Sequence, residues 1–66
     1  MCMMTVKYAE ESGGETIMEN VSSLVLNGDD IELIDLFGER VVLQNARLKR
    51  ADFEQGTSWI LMEKPL

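Results

Sequence analysis

The chain has 66 residues and a mass of 7.5 kDa, and 45% of its residues are hydrophobic and 27% charged. This length allows a single domain, since domains typically have about 100 residues or more, and the composition is that of a folded globular chain. Twelve acidic residues against six basic ones give a net charge of −6, which disfavours nucleic acid and anionic membranes as partners. We therefore expect residues 1–66 to form one acidic domain.

The sequence also limits the location and the chemistry of the protein. No apolar run approaches the about 18 to 20 residues needed to cross a bilayer, and the first residues lack the basic and then apolar pattern of a secretory signal. A cytoplasmic protein is predicted. Because the chain has no histidine, it lacks His-assisted nucleophiles and His-ligated zinc, and we expect that it is not an enzyme.

Turn residues divide the chain into short segments about eight to twelve residues apart, and this spacing predicts an all-β fold. Residues 2–8 alternate in the manner of a half-buried strand, which ends at the turn Gly13-Gly14. Short strands are predicted at residues 16–18 and 22–26.

The sequence Asn27-Gly28 between apolar runs predicts a hairpin, with residues 31–37 as its return strand. The apolar alternation slips between Leu33 and Ile34, as it would through a bulge or through burial of both faces. A sharply curved strand is the simpler interpretation.

Three more strands are predicted in the second half of the chain. After a turn at Gly38-Glu39 they cover residues 40–44, 45–52 and 57–63, with another turn at Gln55-Gly56. The middle stretch also fits a helical spacing, but we interpret it as a strand. About six or seven short strands in a chain of this length predict a small, strongly bent barrel that resembles SH3-like or Sm-like folds.

Such a barrel has a thin core, because a chain of this size buries only about 60% of its unfolded surface. The sequence contains one cysteine, so it cannot form an internal disulfide. Pairing of two chains across an exposed strand edge would enlarge the core and cover the edge. We therefore expect a homodimer.

The single thiol, Cys2, directly follows Met1. Together with an adjacent amine or backbone nitrogen it would form a five-membered N,S chelate, and such donors suit square-planar Ni(II) or Cu(II). A two-fold axis between two Cys2 residues would complete a four-donor set. In the alternative interpretation, Cys2 is a small buried hydrophobe at the start of an edge strand.

Other candidate metal ligands have simpler structural interpretations. Met1, Met3 and Met4 lie around Cys2 and could trap Cu(I), but adaptable packing is the usual role of methionine. The acidic residues at 29–30 and Asp35 could ligate Ca²⁺ or Mg²⁺, but Asn-Gly-Asp-Asp is first of all a turn sequence.

Several segments of the chain together resemble the CooT-like family of small nickel-binding proteins. They are the opening residues 1–6 (MCMMTV), residues 18–21 (MENV), the Gly28 turn and residues 35–39 (DLFGE). The resemblance covers nearly the whole chain. It implies a homodimer of small β-barrel-like subunits that binds Ni(II), one per dimer, through Cys2, and it implies an association with nickel supply to carbon monoxide dehydrogenase.

The leading hypothesis is a Ni(II)-binding accessory protein, a metallochaperone, that supplies a client nickel enzyme. The alternative is an Sm-like RNA-binding module, which the barrel pattern and the basic residues Arg47, Lys49 and Arg50 suggest. Those basic residues also fit a solvated strand edge. A dimer would carry 2 × −6 = −12 and repel phosphates, so we expect no detectable affinity for single-stranded RNA near physiological salt.

Overall fold

The computed structural model describes residues 4–53 and 59–63 of the protein. This part of the chain contains six strands and one short 3-10 turn, which confirms the all-β prediction. The elements are β1 (Met4–Tyr8), the 3-10 turn (Glu10–Ser12), β2 (Thr16–Asn27), β3 (Asp30–Asp35), β4 (Arg40–Leu43), β5 (Arg47–Asp52) and β6 (Trp59–Glu63). The predicted turn at Gln55-Gly56 lies outside the described residues.

The six strands form a single sheet in the order β4-β3-β2-β1-β6-β5. Neighbouring strands are antiparallel, except that β1 and β6 are parallel. Within residues 4–53 and 59–63, β4 and β5 do not pair with each other, so these two strands are the open edges of the sheet. The first half of β2 pairs with β1 and its second half with β3, which suits a strongly bent sheet that is not closed into a barrel.

The two short strands predicted for residues 16–18 and 22–26 are parts of one strand, β2. Val21 and Ser23 pair with successive residues of β3, so Ser22 is an extra residue in the ladder, a β-bulge. The bulge resets the alternation, and Val21 and Leu24 consequently both contact the core. In β3 the buried positions alternate through Leu33, and the bulge lies in β2 opposite the step from Ile34 to Asp35, close to where the apolar spacing slips.

The predicted hairpin is confirmed. Asn27 pairs with Asp30, so the connection is a two-residue loop that begins at Gly28. The φ of Gly28 is 63°, a conformation that glycine adopts without steric cost and that hairpin loops of this length require. The predicted return strand over residues 31–37 is too long, because β3 ends at Asp35.

The core lies on one face of the sheet. Its buried side chains are Val6, Val21, Ile31, Leu33, Leu43, Ala46, Ile60 and Met62. The ambiguous stretch before residue 52 is a strand from Arg47 onward, but β5 contributes no buried side chain to this cluster. Among the described residues no helix is long and apolar enough to cross a membrane.

Candidate functional site

Three of the four segments on which the family resemblance rests contribute residues to one end of the sheet, whereas the Gly28 turn lies at the other end of the β2–β3 pair. Met4, the first residue of β1, pairs with Val21 of β2, and Val21 pairs with Asp35, the last residue of β3. These residues form a row across three neighbouring strands. Cys2 precedes Met4 by two residues in the sequence, and residues 35–39 start from the other end of the row.

Asp35 organises the turn that follows β3. Its Oδ1 atom accepts hydrogen bonds from the backbone N–H of Phe37 at 2.8 Å and of Glu39 at 2.9 Å. Its backbone N–H donates to the Glu39 carbonyl at 3.0 Å, and its carbonyl accepts from the Gly38 N–H at 3.1 Å. Gly38 has a φ of 84°, which glycine tolerates without steric cost. The turn is thus a hydrogen-bonded unit built around one carboxylate.

Further hydrogen bonds tie this turn to β2. The backbone N–H of Leu36 donates to the Asn20 carbonyl at 3.0 Å. Asn20 has a φ of 57°, a left-handed conformation that asparagine adopts more readily than most residues. The Ser22 hydroxyl lies 3.2 Å from the carbonyls of both Ile34 and Asp35. Hydrogen bonds therefore set the position of the turn relative to β2.

The turn presents apolar side chains to solvent. Phe37 is 82% exposed and Leu36 is 48% exposed, although their apolar character favours a strand through residue 37 in the sequence pattern. The signal for the observed turn is the aspartate followed three residues later by glycine, which is typical of β-turns. The apolar pattern of this segment does not predict that Phe37 projects.

The predicted nickel ligand Cys2 lies outside the described residues, as do its two flanking methionines. Of the other methionines, Met4 and Met18 pack against the core and Met62 is fully buried. The packing interpretation is therefore confirmed for these three side chains.

The carboxylates considered as cation ligands do not come together. Asp30 and Asp35 lie at opposite ends of β3, and each accepts backbone hydrogen bonds. The Asp30 Oδ1 atom accepts one from the Asn45 N–H at 3.3 Å. Asp29 lies at the exposed tip of the hairpin. In the described ranges, no three or more Cys, His, Asp or Glu side chains are grouped in a way that could hold a metal ion.

The basic residues that suggested RNA binding lie on β5, an edge strand. Lys49 forms an ion pair with Glu11, and the Arg50 Nη2 atom lies 3.0 Å from the Asp52 Oδ2 atom. Arg47 lies opposite an acidic residue of β6 in the strand register. This arrangement is that of a charged, solvated strand edge, and the acidic neighbours reduce the positive field available to phosphates.

These observations define the class of protein: a small acidic all-β module with one bent sheet and a projecting, hydrogen-bonded turn at one end. The model of the family "CO dehydrogenase accessory protein CooT" matches residues 1–61 of the chain. The chain belongs to this family. Membership implies an accessory role for carbon monoxide dehydrogenase and suggests a non-catalytic protein. Comparisons with curated proteins and with solved structures found no match.

Proposed function

We propose that the protein binds Ni(II) as cargo, holds one ion between two copies of the chain, and supplies it to carbon monoxide dehydrogenase. The observation that carries this proposal is the single thiol of the chain, Cys2, which lies within the segment that the family model matches. Cys2 and the start of β1 belong to the same short segment, and residues 35–39 lie at the same end of the sheet as the start of β1.

Donor chemistry supports nickel at this residue. A thiolate and an adjacent nitrogen form a five-membered chelate, and a mixed nitrogen and sulfur donor set suits a square-planar ion. One chain supplies two such donors, so a four-coordinate site requires two chains. The expected stoichiometry is one nickel ion per dimer.

Features of the sheet support a second chain as partner. Within the described residues the edges β4 and β5 are unpaired with each other, and open strand edges are places where another chain can add. Several large apolar side chains outside residues 35–39 are exposed: Val25, Leu26, Val42, Leu48 and Phe53. We infer a homodimer held by apolar residues near the N-terminal strand, because the small core gains from the additional burial.

Proton release follows from the same ligand set. The thiol and the nitrogen must both lose a proton before they coordinate the metal. Binding therefore releases protons, and nickel affinity decreases as the pH falls below about 6.

A nickel titration of the wild-type protein and of Cys2→Ser tests the proposal. The wild type is expected to bind one Ni²⁺ per two chains, with a thiolate-to-nickel charge-transfer absorption. Cys2→Ser is expected to lose that absorption and to bind at least tenfold more weakly, while circular dichroism shows that the fold is retained. Asp29→Asn, a change at the exposed hairpin tip, is the matched control and is expected to bind as the wild type does.

The opposite result identifies a different kind of site. If Cys2→Ser keeps the affinity and the one-per-dimer stoichiometry, carboxylates hold the metal and the proposal is wrong. Parallel titrations with Cu²⁺, Zn²⁺ and Co²⁺ measure the metal preference, and Cu²⁺ is expected to bind tightly on intrinsic grounds.

A further inference from the structure

We propose that residues 35–39 form a docking element for the enzyme that this accessory protein serves, with Phe37 as the anchor side chain. The complementary surface on the enzyme is an apolar pocket with a basic rim. The inference rests on the accessory role and not on nickel ligation by Cys2, so the two proposals can fail separately.

The first argument is that hydrogen bonds fix the backbone that carries the exposed Phe37 side chain. The side chain is 82% exposed, yet its backbone N–H donates to the Asp35 carboxylate at 2.8 Å. The neighbouring Leu36 N–H donates to the Asn20 carbonyl at 3.0 Å. A protruding aromatic side chain on an ordered turn loses little conformational entropy when it is bound, which favours affinity. Aromatic side chains are also enriched at protein interfaces.

The second argument is the charge around the turn. Asp35 and Glu39 belong to the turn. The turn is hydrogen-bonded to Asn20, and the residue before Asn20 is the exposed Glu19. The basic residue that follows the turn in the sequence, Arg40, lies 3.5 Å from a carboxylate oxygen of Glu32. The turn region therefore carries more acidic than basic side chains among the described residues, and a basic rim on the partner gives electrostatic complementarity.

The same charges disfavour two other occupants. A second copy of the chain would bring identical acidic turns together around a two-fold axis, which costs free energy through like-charge repulsion. A single-stranded nucleic acid could stack a base on an aromatic ring, but its phosphates would meet the same carboxylates. A protein with a basic surface fits the turn best.

The third argument is position. The row from Met4 through Val21 to Asp35 spans two strand spacings, or about 10 Å. A partner that docks on residues 35–39 therefore lies beside the start of β1. This is the strand that Cys2 precedes in the sequence, so docking here suits an accessory protein that delivers cargo.

A binding experiment with purified, nickel-free carbon monoxide dehydrogenase tests the proposal. Phe37→Ser is expected to bind the enzyme at least tenfold more weakly than the wild type in biolayer interferometry. Leu26→Ser is the matched control, because Leu26 is 63% exposed but lies beside the hairpin loop at the other end of the β2–β3 pair. It is expected to bind within twofold of the wild type. Glu39→Lys is expected to weaken binding and to reduce its dependence on salt.

Each contrary result overturns the docking proposal. In the first, Phe37→Ser binds the enzyme within twofold of the wild type. In the second, Leu26→Ser loses as much affinity for the enzyme as Phe37→Ser does. In the third, the wild-type protein does not bind the enzyme. Conversion of Phe37→Ser to a monomer in sedimentation equilibrium would assign the turn to the interface between copies. A Cys2→Ser protein that docks normally but binds no nickel leaves this proposal intact and supports the separate role of Cys2.

Discussion

At the scale of single residues, Asp35 organises the turn that follows β3. One of its carboxylate oxygens accepts two backbone hydrogen bonds, from Phe37 and Glu39. Such bonds between an aspartate and the backbone that follows it are what make aspartate common in turns. The residue considered as a cation ligand in the sequence is thus an acceptor for N–H groups of its own chain.

We predict that Asp35→Ala destabilises the protein by about 1 to 2 kcal/mol, because two charge-assisted hydrogen bonds to the backbone are lost at a partly exposed site. Urea denaturation measures the change in the free energy of unfolding, and amide exchange at Phe37 and Glu39 should become faster. Asp29→Ala, at the exposed hairpin tip, is the control and should change the stability by less than about 0.5 kcal/mol. Equal effects of the two substitutions would contradict the role assigned to Asp35.

Single residues differ in how well the sequence predicts their structural role. The turn at Gly28 was predictable, because glycine adopts the positive φ that a two-residue hairpin loop requires, although Asn27 itself still pairs with Asp30. The exposure of Phe37 was not, because an apolar side chain directly after a strand normally indicates burial, whereas here β3 ends in the turn built around the Asp35 carboxylate. The assignment of Cys2 as nickel ligand stays a prediction, since Cys2 lies outside the described residues.

At the scale of elements, the bulge at Ser22 allows Val21 and Leu24 of β2 to face the core together. Without the extra residue, Val21 and Leu24 would point to opposite faces. The Ser22 hydroxyl lies within hydrogen-bonding distance of two carbonyls of β3. The sequence pattern interrupts the strand here because period-two alternation has no place for an inserted residue.

Deletion of Ser22 and the substitution Ser22→Ala separate the backbone role of this residue from that of its side chain. We predict that Ser22→Ala costs about 0.5 to 1.5 kcal/mol, the usual net value of a hydrogen bond. The deletion should abolish cooperative unfolding, because it moves one half of the β2 side chains to the wrong face. Thermal denaturation followed by circular dichroism distinguishes the two. A deletion variant that melts as Ser22→Ala does would show that the bulge is dispensable.

At the scale of the whole molecule, the sheet order is the property that the sequence does not reveal. Strand positions follow from turn residues and alternation, and the six observed strands agree with the predicted number. The parallel pairing of β1 with β6 joins segments more than fifty residues apart in the chain, and neither periodicity nor turn chemistry encodes such a pairing.

We predict that the nickel-free protein is already a dimer, because the small core and the unpaired edges favour association before any metal is bound. Sedimentation equilibrium should give a mass of about 15 kDa, twice the 7.5 kDa of one chain. Phe37→Ser should give the same mass. A species of only 7.5 kDa at micromolar protein concentration would contradict a metal-independent dimer.

The parallel pairing of β1 with β6 also constrains when the protein can fold. During synthesis β1 emerges first and β6 last, yet β1 lies between β2 and β6. A growing chain that ends before residue 59 leaves one side of β1 without its partner strand, and such unpaired strands are prone to aggregation. Pairings between distant segments also slow folding. We expect the hairpin of β2 and β3 to form while the ribosome is still translating and the complete sheet to form only after β6 has been synthesised.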